Sequence, residues 1–274
     1  MQLKDVLILN GFKFNKRYGQ NFLTDKNLLS SIVEKAGVGK DDTVLEIGSG
    51  GGTLTSAIAE RAKRVVGFEI DKNLEPVLKT TLADFPNAEI IFKDIMKADM
   101  TEIEEILGGE YRVVANLPYY ITTPILMKFV EEGSKVRSIC VTVQDEVAQR
   151  LCAQPGSAEY GAITAGIDVV GNAKKRMKID RKMFYPVPNV DSAVVNIEID
   201  RKKYEGVDLK AYRDLVRAAF SSRRKTLVNN IINSYKIPRQ DAERAVEAIG
   251  KDIMVRGETL STKDFVRLSE ILKK

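Results

Sequence analysis

Asn116-Leu117-Pro118-Tyr119 brings together four residue types that can act on an exocyclic amino group. An amine such as adenine N6 is a poor nucleophile, because its lone pair is delocalised into the ring and must be drawn back before it attacks. Asn116 would supply one acceptor, a side-chain amide oxygen, and Leu117 a second, its backbone carbonyl. Pro118 stiffens the turn and removes a competing N–H donor. Tyr119 offers a ring on which a base can stack. The apolar run Tyr111 to Ala115 reads as a buried strand that hands these residues to a loop. The same tetrapeptide also fits an ordinary strand end closed by a proline turn, since motifs this short recur by chance.

Three other strand ends carry candidate binding groups. Glu46-Ile47-Gly48-Ser49-Gly50-Gly51-Gly52-Thr53-Leu54-Thr55 follows the first sheet strand and opens a helix, with glycines that admit positive φ and a ligand close to the backbone. Phe68-Glu69-Ile70-Asp71 ends the next strand with a carboxylate placed to accept from both hydroxyls of a ribose. These two features suit a nicotinamide dinucleotide as well as a methyl donor. Lys93-Asp94-Ile95-Met96 ends the third, setting an acidic side chain beside apolar ones, which suits an adenine amino group and its ring face. Ligands in such folds bind beyond the C-terminal ends of the strands, so the four elements are expected to converge on one crevice.

The elements that must position these groups alternate short apolar runs with amphipathic stretches, the pattern of an α/β protein with a parallel sheet and crossover helices. Strands are expected at Thr43 to Ile47, Arg64 to Ile70, Glu89 to Phe92, Tyr111 to Ala115 and Arg137 to Val143. Helices are expected at 53–62, 71–83, 101–107 and 122–132, with a further helical region over 144–169. The β-rich segments Asp168 to Ile179 and Ser192 to Ile199 would complete the sheet as a hairpin. After Asp200 the character turns helical. Leu209, Tyr212, Val216 and Phe220 form a stripe that Leu227, Ile231 and Ile232 would continue, a second helix runs from Ala242 to Ile249, and Ser261 with Asp264 signals a cap before Phe265 to Leu272. The expected domains are 1–200 and a small all-helical domain, 201–274.

Composition restricts the chemistry further. At 274 residues, 44% hydrophobic and 30% charged, the chain has the composition of a soluble globular protein. It contains no apolar segment of membrane-span length and no signal-peptide core, so a cytoplasmic location is expected. The absence of histidine removes Ser-His-Asp and Cys-His catalysis and nearly all zinc hydrolase designs. Methyl transfer from a sulfonium is compatible with that restriction, because the electrophile arrives activated and the amine becomes strongly acidic once alkylated. Two cysteines, Cys140 in a strand and Cys152 in a helix, suit small buried residues in a reducing compartment, with neither disulfide nor metal. Residues 1–200 carry a net charge of −3 and residues 201–274 a net of +8. A basic segment of that kind docks a polyanion or forms a solvated helical face.

At this point the chain resembles the small-subunit ribosomal RNA adenine N6-dimethyltransferases. The resemblance includes Gly19-Gln20-Asn21-Phe22-Leu23, Gln144 to Leu151 with Tyr160-Gly161, Phe184-Tyr185-Pro186-Val187-Pro188-Asn189-Val190-Asp191-Ser192 and Ser222-Arg223-Arg224-Lys225-Thr226-Leu227. It implies a Rossmann-like S-adenosylmethionine-dependent methyltransferase sheet with a small helical C-terminal domain. It also implies that Asn21, Leu23, Gly48, Glu69, Asp94 and Asn116 contact S-adenosylmethionine, with Gln20, Gly50, Ile70 and Ile95 completing the cofactor set. Phe184 is implied to stack on the target adenine opposite Tyr119, although from the residues alone it reads as a core aromatic. The implied substrate is a pair of adjacent adenines in the 3′-terminal hairpin of small-subunit rRNA, methylated by a monomer during subunit biogenesis. Lys13, Lys16, Arg17, Lys174, Lys175, Arg176, Arg223, Arg224 and Lys225 are candidate phosphate contacts. Arg223-Arg224-Lys225 would serve equally as an anchor for the C-terminal helices. Ser49 stands where proline is common and Gly51 where a larger residue is usual, which is expected to loosen the glycine loop. Rival readings are a large-subunit rRNA adenine methyltransferase conferring macrolide resistance, an assembly factor acting mainly by binding, and a dehydrogenase.

Overall fold

The computed structural model describes residues 2–15 and 18–273. In chain order the elements are α1 (Leu3–Leu9), β1 (Phe22–Leu23), α2 (Lys26–Lys35), β2 (Thr43–Ile47), α3 (Thr53–Ala59), β3 (Arg64–Glu69), α4 (Glu75–Thr81), β4 (Ala88–Phe92), α5 (Met100–Leu107), β5 (Tyr111–Asn116), α6 (Thr122–Glu132), β6 (Val136–Gln144), α7 (Asp145–Leu151), α8 (Ala162–Asp168), β7 (Gly171–Ile179), β8 (Phe184–Tyr185), β9 (Ser192–Ile199), α9 (Leu209–Ala219), α10 (Leu227–Tyr235), α11 (Arg239–Ala248) and α12 (Thr262–Leu272).

Seven strands form one sheet in the order β4-β3-β2-β5-β6-β9-β7. From β4 to β6 every pair is parallel, and β9 runs antiparallel to β6. The central strands are buried almost throughout, as their continuous Val/Ile/Leu runs require of a sheet covered on both faces. The chain steps outward from β2 to β4 and then returns to place β5 on the other side of β2, so the strand order reverses between β2 and β5. Their C-terminal ends diverge there and leave the crevice in which such sheets bind ligands. The fold is a Rossmann-like sheet with a helical C-terminal part. A separate two-stranded ribbon pairs β1 with β8, with Phe22 opposite Tyr185 and Leu23 opposite Phe184.

Several local expectations change. The helix expected over 71–83 begins as a 3-10 turn, Lys72–Leu74, capped by the Asp71 side chain, before α4. The helical region expected over 144–169 is α7 and α8 separated by a non-helical stretch, 152–161, that contains Pro155-Gly156. Cys152 therefore lies just past α7 rather than within a helix. Leu227, Ile231 and Ile232 do not continue the α9 stripe. The chain turns after Phe220, and Thr226 caps a new helix by accepting from the Asn229 N–H. The capping box of Ser261 and Asp264 forms at α12.

The chain divides into two compact units, one of residues 1–148 with 173–199, the other of residues 149–172 with 200–274. The helical unit thus takes in a segment that sequence reasoning placed with the sheet. Its core explains why: the Tyr212 hydroxyl donates to the Ala165 carbonyl at 2.8 Å, and Tyr160 meets Phe220 edge-on, ring centroids 5.9 Å apart. No helix among the described residues is long and apolar enough to cross a membrane.

Candidate active site

At the switch point between β2 and β5 lies an open crevice lined by Tyr18 to Phe22, Gly48, Gly50, Glu69, Ile70 and Asn116 to Tyr119. Each lining group comes from a strand end or from the N-terminal segment drawn over it. Gly48 follows β2 with φ of +77°, and nothing lies within 4 Å of where its Cβ would be. Glu69, the last residue of β3, is held by two backbone N–H donors, Gly50 at 2.7 Å and Asp71 at 2.8 Å. Burial raises its pKa against the pull of those bonds.

The N-terminal segment is fastened to these strand ends by side-chain amides. Gln20 Nε2 donates to Asp71 Oδ2 at 2.8 Å while its Oε1 accepts from the Asn15 N–H at 3.1 Å. Asn116 Nδ2 donates to the Asn21 carbonyl at 2.8 Å. With the NH₂ end of Asn116 committed, its Oδ1 has no partner among the described residues, and neither has the carbonyl of Leu117. Both residues line the crevice. Tyr119 completes the group. Its hydroxyl shares a 2.8 Å hydrogen bond with Ser192 Oγ, which fixes the ring, and burial pushes the phenol pKa up, the Ser192 bond partly offsetting that.

Beneath the crevice Glu46 is fully buried. Its Oε2 accepts from Thr55 Oγ1 at 2.5 Å, its Oε1 has no hydrogen bond, and burial raises its pKa to about 7. Glycine loop 48–52 is held rather than loosened. A Cβ on Gly51 would lie 2.4 Å from Leu3 Cδ1, so glycine there lets α1 pack onto the loop, and the Ser49 hydroxyl is seated against Gly67.

A family model described as Ribosomal RNA adenine dimethylase matches residues 11–274. The chain belongs to that family. It is 44% identical over 278 residues to the Ribosomal RNA small subunit methyltransferase A of Geobacillus thermodenitrificans, covering 98% of this chain and 94% of the relative. The protein of the same name from Bacillus mycoides is 44% identical over 279 residues, with the same coverage. Among solved structures, the 23S rRNA methyltransferase ErmE has a TM-score of 0.72 at 27% identity over 93% of this chain and 100% of that one. A dimethyladenosine transferase from Plasmodium falciparum shares the fold, with a TM-score of 0.76 at 23% identity over 90% and 95% of the two chains. The chain is an enzyme, an rRNA adenine dimethyltransferase, and its substrate is rRNA.

Against that family membership, the candidate residues fall into three groups. Gln20, Asn21, Gly48, Gly50, Glu69, Ile70 and Asn116 to Tyr119 all line the crevice, although the Gln20 amide is spent on the Asp71 and Asn15 links. Leu23 lines a smaller recess beside it, with Glu46 and Ser49. Asp94, Ile95 and Phe184 do not line it. Asp94 accepts from the Met96 N–H within its own loop, and Ile95 is buried. Phe184, expected opposite Tyr119, is only 3% exposed and packs in the core with Leu23, Leu28 and Val194. Pairing of β1 with β8 sets Phe184 across from Leu23, so the Phe184 ring and the Leu23 side chain bury together.

The basic candidates also separate. Lys16 and Arg17 lie outside the described residues. Lys13, Lys174 and Arg176 are exposed, whereas Lys175 is tied to Asp145 at 2.5 Å. Arg223 donates to the carbonyls of Ala158, at 2.6 Å, and Tyr160, which makes it an anchor within the helical unit. Arg224 and Lys225 are exposed beside it. Sequence reasoning missed Tyr18, Gly19, Phe22 and Ser192 as site residues, although Gly19 and Phe22 lie in a block that carried the resemblance. Ser192 had a usable signal as the end of the Phe184 to Ser192 block; Tyr18 had none.

Proposed function

We propose that the crevice binds S-adenosylmethionine and presents N6 of each of two adjacent adenines, in the 3′-terminal hairpin of small-subunit (16S) rRNA, for dimethylation. The observation that carries this reading is the committed Nδ2 of Asn116, which leaves Asn116 Oδ1 and the Leu117 carbonyl as two acceptors for one amino group. Open space at Gly48 and the carboxylate of Glu69 suit a nucleoside with a charged tail, which supports the cofactor assignment. Gly48, Gly50, Glu69, Ile70 and Asn21 would hold it, with Asp94 and Ile95 one strand further along, since β4 pairs with β3 in parallel at Phe92 and Glu69. When bound, that cofactor supplies an electrophilic sulfonium methyl group. In the first transfer Asn116 and Leu117 accept from the two N6 hydrogens and return electron density to the nitrogen, which loses one proton once alkylated; in the second, one of them accepts from the single hydrogen that remains, while Pro118 holds their spacing. Tyr119 gives the base a fixed aromatic face, and Phe184 backs the same end of the sheet from the core.

In this reading the enzyme works in the cytoplasm as a monomer, on an immature small subunit, with the sheet unit, 1–148 and 173–199, carrying chemistry and the basic residues of 201–274 adding phosphate contacts. Hairpin-loop bases are already partly unstacked, which lowers the energy needed to draw them into a pocket. The test is incubation with labelled S-adenosylmethionine and unmethylated small or large ribosomal subunits, followed by nucleoside analysis. Dimethyladenosine in small-subunit RNA at two adjacent positions is expected. Its appearance only in large-subunit RNA would overturn the substrate and favour the relationship to ErmE.

A further inference from the structure

We propose that Tyr120 is a second stacking platform, holding the nucleotide next to the target adenine while the target lies against Tyr119; this rests on Tyr119 being the target's own platform. The two consecutive tyrosines are placed in opposite ways. Tyr119 lines the crevice with its hydroxyl tied to Ser192, whereas Tyr120 is 65% exposed and its hydroxyl has no partner among the described residues. Exposure alone would mean little for a single side chain. Here the backbone beneath it is fixed, because the Pro118 carbonyl accepts from both the Ile121 N–H and Thr122 Oγ1, each at 3.2 Å, and α6 starts at Thr122.

The ring also has a seat. A Cβ on Gly19 would lie 3.4 Å from Tyr120 Cε1 and 3.5 Å from Cδ1, and Gly19 lines the crevice. Tyr120 therefore leans on the crevice rim with the rest of its surface in solvent. Val187 and Val190, both exposed, lie in the segment that leads to Ser192 and so to Tyr119. Drawing one base out of a strand leaves its neighbour without a stacking partner, and an aromatic face one residue along replaces it without regard to base identity. For two adjacent targets the arrangement has a further use: the waiting adenine is already held beside the site.

The test is steady-state kinetics of the full-length enzyme on unmethylated small ribosomal subunits. Tyr120→Phe and Tyr120→Trp are expected to behave as wild type. Tyr120→Ala and Tyr120→Leu are expected to raise KM for the subunits about tenfold, with affinity for S-adenosylmethionine and melting temperature unchanged. A Leu variant as active as wild type overturns the proposal, because it needs a ring. So does a Phe variant as impaired as Ala, or a loss of cofactor affinity in step with KM. If only large subunits are methylated, the substrate reading fails and the same ranking, measured there, still decides the role of Tyr120. Full activity of Tyr119→Ala would sink the underlying reading and with it the pairing of two platforms, an outcome distinct from a failure of the Tyr120 ranking.

Discussion

Asn116 and Glu46 sit on neighbouring parts of the sheet and use opposite electrostatics. In the proposed mechanism Asn116 is neutral and acts by direction. Replacing it with alanine removes one of two acceptors, so kcat should fall about a hundredfold or more while cofactor affinity is partly retained, checked by single-turnover methylation beside cofactor titration. Glu46 is an acid whose pKa is raised in the folded chain, so the folded state binds the proton more tightly than the unfolded state. Stability must then decline as pH rises from the ordinary carboxylate range to about 7, and level off above it. Glu46→Gln removes that slope. Relative to wild type it should gain on the order of 3 kcal/mol between the two ends of that window, measured by urea unfolding at a series of pH values. At this scale the sequence was legible where chemistry and chain position coincide, as at Asn116, Glu69 and Gly48. At Phe184 the residues alone read as the core aromatic that the structure shows, whereas its pairing with Leu23 was not legible, because the partner of that two-residue strand, β1, lies over 150 residues earlier in the chain.

Elements carry the next layer. The parallel strands were readable to within a residue because burial on both faces demands unbroken apolar runs. The helical region after β6 was not, since two short helices with a proline-glycine break have the composition of one longer helix. The loop between α9 and α10 shows how adjacent cations divide their work. Arg223→Met should lower thermal stability by about 1 to 2 kcal/mol through the lost bonds to the Ala158 and Tyr160 carbonyls, with little change in the salt dependence of RNA binding. Arg224→Ala and Lys225→Ala should leave the melting temperature alone. On the proposed docking of RNA each should reduce the slope of log affinity against log salt by about 1. Equal effects from all three would remove the distinction.

At the scale of the molecule, the helical unit is built from two separated stretches of chain, and this changes how its role can be probed. Removing residues 201–274 strips Tyr212 and Phe220 from Ala165 and Tyr160 and leaves buried side chains of the 149–172 segment uncovered. The truncated protein should aggregate or melt earlier, seen by light scattering and thermal unfolding, before any question of RNA affinity arises. Charge substitutions are therefore the cleaner probe of the net +8 in this part of the chain. Another long-range dependence concerns the amide that was described as aimed by the N-terminal segment. The group that turns Asn116 is a main-chain oxygen, 95 residues away at position 21, and every amino acid provides one. Its neighbours are anchored on both sides, Gln20 to Asp71 and Phe22 in register with Tyr185. The setting of the Asn116 amide thus tolerates drift in the letter at position 21 but not a change in the count. One residue inserted between Gln20 and Phe22 would silence the enzyme with every site residue still present.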